Sequence, residues 1–242
     1  MAPVLVFGAS GAIGGATARA LHGAGAAVHL AGRNGDALRA LSAELGGAPV
    51  SICDVTDDEA LAATVAAAAP GGALSGLVFA VGSIPLAPLR RQSRLTLREA
   101  FELNAVSAAM AVRAAEPALK AGDGSVVLFS SIAVAQGFAN HAAISAAKGA
   151  VEGLTRALAA DLAPKVRVNA IAPSLTRSGI AEPLTANAQM ADAIAALHPI
   201  PRLGEGADAG ALAAFLIGPQ AGWISGQVFA VDGGRSHIRT KG

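Results

Sequence analysis

Apolar positions in this chain come in short unbroken runs, separated by alanine-rich stretches of helical character. The runs at residues 4–7, 28–31, 50–53, 77–80, 125–129, 166–170 and 227–231 are the strand candidates. They do not alternate apolar with polar residues, as strands covered on both faces need not. Between them the pattern predicts helices over 13–24, 35–45, 57–69, 96–120, 142–162 and 206–217. Asp57-Asp58-Glu59 opens the third with acids, which a helix N-terminus favours. Strand–helix alternation predicts a parallel sheet with right-handed crossovers and helices on both faces. The expected class is α/β, with a doubly wound seven-stranded parallel sheet in a single domain spanning residues 1–242. One connection breaks the rhythm. Residues 174–204 hold Pro183, Pro199 and Pro201 and a short helical piece around 188–197. Connections this long are usually lids or binding loops.

Composition narrows the picture. A chain of 242 residues, 53% hydrophobic and 14% charged, fits one large α/β domain and excludes disorder. Its 18 basic and 17 acidic residues give a net charge of +1, and no basic stripe interleaves with aromatics. Nucleic acid is not an expected partner. The single cysteine, Cys53, excludes an internal disulfide and suits a reducing, cytoplasmic compartment. No charged segment followed by an apolar run precedes the first strand, so no signal peptide is expected. Residues 60–89 and 124–147 carry no formal charge. Pro70-Gly71-Gly72, Pro85 and Pro88 break the first, and Ser125, Ser130, Ser131, Gln136, Asn140 and His141 punctuate the second, so neither reads as a membrane span.

The chemistry begins at the first strand. Val4-Leu5-Val6-Phe7-Gly8-Ala9-Ser10-Gly11-Ala12-Ile13-Gly14-Gly15 is strand, glycine-rich turn and helix start. Glycine there lets backbone approach a pyrophosphate, and the helix N-terminus offers free N–H groups. A tight turn with no ligand is the alternative. After the second strand comes Gly32-Arg33-Asn34. An acid at that strand end would accept from a ribose 2′-hydroxyl, whereas an arginine accommodates a 2′-phosphate, so Arg33 points to NADP over NAD. A solvated surface arginine is the plainer reading. Asp54-Val55 follows the third strand at the same edge of the sheet, with a helix-capping role as the alternative for Asp54.

With these pieces in place the chain resembles the short-chain dehydrogenase/reductase family, in its classical-length branch, from Val4 to Gly234. The family's glycine motif matches Gly8, Ser10, Gly11, Ile13 and Gly14, with Ala12 at its middle glycine. Its Asn-Ala-Gly after the fourth strand stands here as Ala80-Val81-Gly82. Asn104 matches the active-site helix asparagine, Ser131 the catalytic serine and Lys148 the catalytic lysine. Pro173-Ser174-Leu175-Thr176-Arg177-Ser178 matches the loop that holds the nicotinamide carboxamide, with Ser174 where glycine is usual. Gly226-Gln227-Val228-Phe229-Ala230-Val231-Asp232-Gly233-Gly234 matches the C-terminal strand and turn. The resemblance implies a Rossmann fold and a dinucleotide held by Gly8, Ser10, Gly11, Ile13, Gly14, Arg33, Asn34, Asp54, Val55, Ala80, Gly82, Lys148, Pro173 and Leu175. It also implies helix pairing across subunits into a homodimer or homotetramer.

The resemblance fails at one position. In the family a tyrosine, four residues before the lysine, moves the proton. Here that position is Ile144, and the chain has no tyrosine. Three readings follow. The chain is an NADP-dependent reductase whose proton comes from water held by Ser131, Asn104 and Lys148, or from His141. It binds the coenzyme without turnover, as a sensor or a structural subunit. Or it runs non-redox chemistry with Lys148 as base, its pKa lowered among apolar groups. Loops 83–89, 133–141 and 174–204 should bound the substrate pocket. Their apolar content points to a small or medium apolar carbonyl compound, with Arg90, Arg91 and Arg177 as the charged exceptions.

Overall fold

In the computed structural model, which describes residues 2–240, seven strands form one sheet. They are β1 (Val4–Phe7), β2 (Val28–Gly32), β3 (Val50–Ile52), β4 (Gly76–Phe79), β5 (Ser125–Phe129), β6 (Arg167–Pro173) and β7 (Val228–Val231). Their order is β3-β2-β1-β4-β5-β6-β7, and every pairing is parallel. The helices are α1 (Ala12–Gly23), α2 (Gly35–Glu44), α3 (Asp58–Ala68), α4 (Arg94–Phe101), α5 (Ser107–Ala121), α6 (Ala133–Gln136), α7 (Ala142–Leu162), α8 (Glu182–Thr185), α9 (Ala188–Ala195) and α10 (Gly206–Ile217).

The unbroken apolar runs are explained by the pleat. Leu5, Phe7, Leu77, Phe79, Val126 and Leu128 face one core, together with Leu61, Val65, Ala111, Leu119, Val151 and Leu162 from α3, α5 and α7. Val4, Val6, Val78 and Val127 face the other, with Ala18, Leu21, Leu38, Leu41, Ala213 and Leu216 from α1, α2 and α10. Alternate residues of each central strand therefore fill opposite layers, and the polar exceptions, His29, Ser125 and Asn169, each have a hydrogen-bond partner. Phe7 and Phe79 pack across the β1–β4 pair at 5.9 Å between ring centroids. From β1 the chain steps outward to β2 and β3, then returns to β4 on the other side of β1. That reversal opens a crevice at the carboxyl ends of β1 and β4, where such sheets bind ligands.

One predicted element is revised. The helix expected over 96–120 is interrupted by a single π-helical turn, Glu102–Val106, between α4 and α5. Asn104 Nδ2 donates to the Ala100 carbonyl at 2.9 Å. The Ser107 N–H and hydroxyl both reach the Glu102 carbonyl, the hydroxyl at 3.0 Å. These side chains take carbonyls that the regular ladder would use, and the turn widens to accommodate them.

The long connection after β6 carries α8 and α9, the latter within the predicted 188–197 piece. Its two ends are tied together: Gly204 N–H donates to the Leu175 carbonyl at 3.0 Å, and Arg177 N–H to the Gly204 carbonyl at 2.9 Å. Among the described residues no helix is long and apolar enough to cross a membrane.

Candidate active site

The turn between β1 and α1 is shaped by two glycines. Gly8 sits at φ +75°, a left-handed conformation, and a Cβ on it would lie 2.6 Å from the Ala80 carbonyl oxygen. A Cβ on Gly14 would lie 2.2 Å from the Gly8 oxygen. Only hydrogen fits at either place. The N-cap of α1 is Gly11, which offers no side chain to its first turn, and no acid lies in that turn. The first-turn N–H groups are open to an anion in a cradle that side chains would fill. These residues fit a dinucleotide pyrophosphate.

A cleft of about 330 Å³ opens beside this turn, across the ends of β4, β5 and β6. Ile13, Ala80, Gly82, Ser131, His141, Lys148, Pro173 and Leu175 all line it, so residues far apart in the sequence converge on one place. Ile144 lines it too and is 3% exposed, one helical turn from Lys148 on α7.

Lys148 is 8% exposed, and its ammonium donates to the Phe129 carbonyl at 2.8 Å. Burial pulls its pKa down from 10.5 to about 8. The nearest acid along the same face of α7, Glu152, accepts instead from the Ser130 hydroxyl at 2.8 Å. Ser131 Oγ accepts from the Ala133 N–H at 3.2 Å, which leaves its own O–H free to donate. His141 is the N-cap position of α7 but makes no cap bond. Its Nδ1 is 2.7 Å from the Ala139 carbonyl, so Nδ1 carries the hydrogen and Nε2 is left free.

Asn104 is buried, 1% exposed, and lies behind Gly82 rather than in the cleft wall. Its amide donates to the Ala100 carbonyl and to Ser83 Oγ at 3.1 Å, while its Oδ1 accepts from the Ser83 N–H at 3.3 Å. Both its N–H bonds are thus used inside the protein. The remaining candidates stand at the ends of β2 and β3, outside the cleft. Arg33 is exposed. Asn34 Oδ1 caps α2 through the Ala37 N–H at 3.1 Å. Asp54 Oδ1 accepts from the N–H and hydroxyl of Thr56, at 3.0 and 2.8 Å; these bonds chiefly hold its pKa down, with a smaller contribution from Arg33. Val55 is a core residue, so only its backbone can face a ligand.

Three groups escaped the sequence reading. Ser83 fixes Asn104, and its place directly after Gly82 was the available signal. His198, buried in the 174–204 connection, sits with Nε2 2.8 Å from Ser174 Oγ and Nδ1 3.0 Å from the Ile194 carbonyl. Arg235 lines the cleft from the loop after β7.

The family model described as enoyl-(acyl carrier protein) reductase matches residues 8–236. The chain belongs to the short-chain dehydrogenase/reductase family. Cis-4-hydroxycyclohexanecarboxylate dehydrogenase of Sinomonas cyclohexanicum is 37% identical over 97% of this chain and 96% of that protein. A Xanthobacter autotrophicus protein named inactive 2-(S)-hydroxypropyl-CoM dehydrogenase 2 is 35% identical over 91% of this chain and 100% of its own length. The structure of a variant actinorhodin polyketide ketoreductase with NADPH superposes with a TM-score of 0.89 at 28% identity, covering 97% of each chain. By family, this short-chain dehydrogenase/reductase is an oxidoreductase with an α/β dinucleotide fold.

Keeping the Lys148 ammonium charged in the fold costs about 3 kcal/mol. Below pH 8 the folded and unfolded chains both hold its proton, so this cost is constant. From about 8 to about 10.5 the unfolded chain holds a proton that the folded chain has released, and rising pH favours folding. The coenzyme-free protein should therefore gain stability relative to Lys148→Met across that window and not below it. Urea unfolding of both proteins from neutral pH upward measures the difference. A constant difference would mean that the lysine is solvated.

Proposed function

We propose that this protein is an NADPH-dependent reductase of small apolar carbonyl compounds that works without a phenolic acid. One observation carries the proposal: Ser131 and Lys148 share a cleft with Ile13, in the first turn of the helix that follows the glycine cradle, and the other walls are largely apolar. When bound, the nicotinamide supplies the hydride. The chain's own groups do the rest. The Ser131 hydroxyl, free to donate, polarises the substrate carbonyl. The Lys148 ammonium, protonated below about pH 8, favours the developing alkoxide. The proton comes from water or from the doubly protonated ring of His141, which gives it from Nε2 while Nδ1 stays hydrogen-bonded to the Ala139 carbonyl. Ile144 shapes the wall and excludes water. NADPH is preferred over NADH because Arg33 stands exposed at the end of β2. The Sinomonas relative is named for a one-ring alcohol, which agrees with a compact substrate.

A second reading is favoured by Ile144 itself. A hydrocarbon in the cleft wall, together with a relative named as inactive, supports coenzyme binding without turnover. Ile144→Tyr separates the two. If the proposal holds, the wild-type protein reduces ketones, and Ile144→Tyr raises kcat/KM by about 100-fold, the scale of a general acid. Steady-state assays over ketones, quinones and imines check this. Turnover found only in the variant would leave the wild-type protein as a binder.

Coenzyme choice is tested by fluorescence titration. Arg33→Ala should weaken NADPH by about tenfold and leave NADH within about twofold, because only the 2′-phosphate meets the guanidinium. Equal affinity of the wild-type protein for both coenzymes would remove Arg33 from recognition.

The proposal includes a homodimer or homotetramer. Leu95, Leu97 and Phe101 on α4 are 63%, 41% and 45% exposed, next to a shallow groove between α4 and α7. A second copy of the chain would cover them. Light scattering behind size exclusion should give a multiple of 23.6 kDa. A monomer at micromolar concentration would contradict the assembly and leave the site unaffected.

A further inference from the structure

The cleft has a charge pattern that carbonyl reduction does not use. Lys148, His141 and Arg235 line it, and among the described residues no aspartate or glutamate does. The first two have parts in the proposed reaction. Arg235 has none.

Arg235 is nevertheless held in place. Its N–H donates to the Asp232 carbonyl at 3.2 Å, and its own carbonyl accepts from Gln136 Nε2 at 2.9 Å, which ties it to α6. Its guanidinium carbon lies 4.7 Å from the centroid of the Phe138 ring. Phe138 in turn meets the His141 ring edge-on at 5.3 Å. Among the described residues the guanidinium has no carboxylate partner and no hydrogen bond. The obvious candidate, Asp232, is already taken. It accepts from the N–H groups of Gly234 and Ser236, at 2.9 and 2.8 Å, and from the Ser236 hydroxyl. Arg235 is partly buried, and burial pushes its pKa down although Asp232 opposes the shift. A guanidinium remains charged under any such shift. A cation desolvated on one side and lacking a counter-ion is an expensive arrangement, relieved when an anion arrives.

We propose that Arg235 is the acid-binding end of the substrate site, taking the carboxylate of a one-ring oxo or hydroxy acid whose reacting carbon lies at Ser131. The identity of the reacting end rests on the reductase reading; the acid-binding end does not. The flat fork of a guanidinium matches a carboxylate through two parallel N–H bonds. One arginine suits a monoanion, whereas a phosphate monoester calls for more donors. Between the two ends the walls are Ile84, Leu86, Ile144 and Leu184, which suit a hydrocarbon ring. A cavity of about 330 Å³ is at the small end for ligand sites, so the acid is compact.

The test is calorimetric binding of cyclohexanecarboxylate and of its neutral analogue cyclohexanecarboxamide, with and without NADPH. The wild-type protein should bind the acid about tenfold or more tighter than the amide, the scale of a charge-assisted pair. Arg235→Gln should abolish that preference, and Arg235→Lys should restore only part of it, since an ammonium has no fork. Equal binding of acid and amide, no binding of either, or an undiminished preference in Arg235→Gln would each overturn the proposal. The wild-type comparison stands even if a variant fails to fold. The two readings fail separately. Acid preference without any NADPH binding upholds Arg235 and sinks the reductase, and NADPH binding without acid preference sinks Arg235 and leaves the reductase reading standing.

Discussion

A buried ammonium with no carboxylate partner sets the chemistry of the cleft. Lys148 is enclosed by α7, β5 and the turn after β4, and the Phe129 carbonyl is its one hydrogen-bond acceptor among the described residues. The acid a turn further along α7 is diverted to Ser130. An uncompensated charge of this kind weakens a fold, and large apolar cores on both faces of the sheet offset it. What the arrangement provides is a positive, largely buried floor to the cleft. The rest of the site follows from that floor. The first turn of α1 reaches the cleft at Ile13, Ser131 offers a hydroxyl to it, and Asn104 in the π-turn fixes the loop at Ser83.

The architecture was legible in the sequence because burial on both faces leaves a strong mark. Strands such as Val4–Phe7 and Gly76–Phe79 carry no polar side chain at any register, so their limits show as changes in composition. The glycine turn was legible for a related reason, since Gly8 and Gly14 leave no space for a side chain. The interruption of the helix over 96–120 was not. Periodicity records which face is apolar and is blind to a side-chain amide that takes a backbone carbonyl, as Asn104 does at Ala100.

The site was read unevenly for similar reasons. Ser131, Lys148 and His141 lie near one another on consecutive elements of the chain, and the cleft gathers them. Asn34 shows the opposite outcome. Its oxygen serves a helix cap, a local bond that a reading aimed at ligands passed over. Arg235 was invisible because its setting is wholly tertiary. The ring it stacks on, Phe138, and the amide that holds its backbone, Gln136, belong to the segment between β5 and α7. An arginine in a C-terminal loop reads as solvated until those partners are seen.

The central claim is that a reduced nicotinamide dinucleotide lies along the carboxyl edge of the sheet, against the β1–α1 turn and the Lys148 floor. A crystal structure determined from crystals grown with saturating NADPH tests it most directly. The pyrophosphate is predicted at the N-terminus of α1, the adenosine 2′-phosphate beside Arg33 and the nicotinamide in the cleft next to Ile144. Clear density for the coenzyme elsewhere, or a cleft that stays empty at saturation, would contradict it.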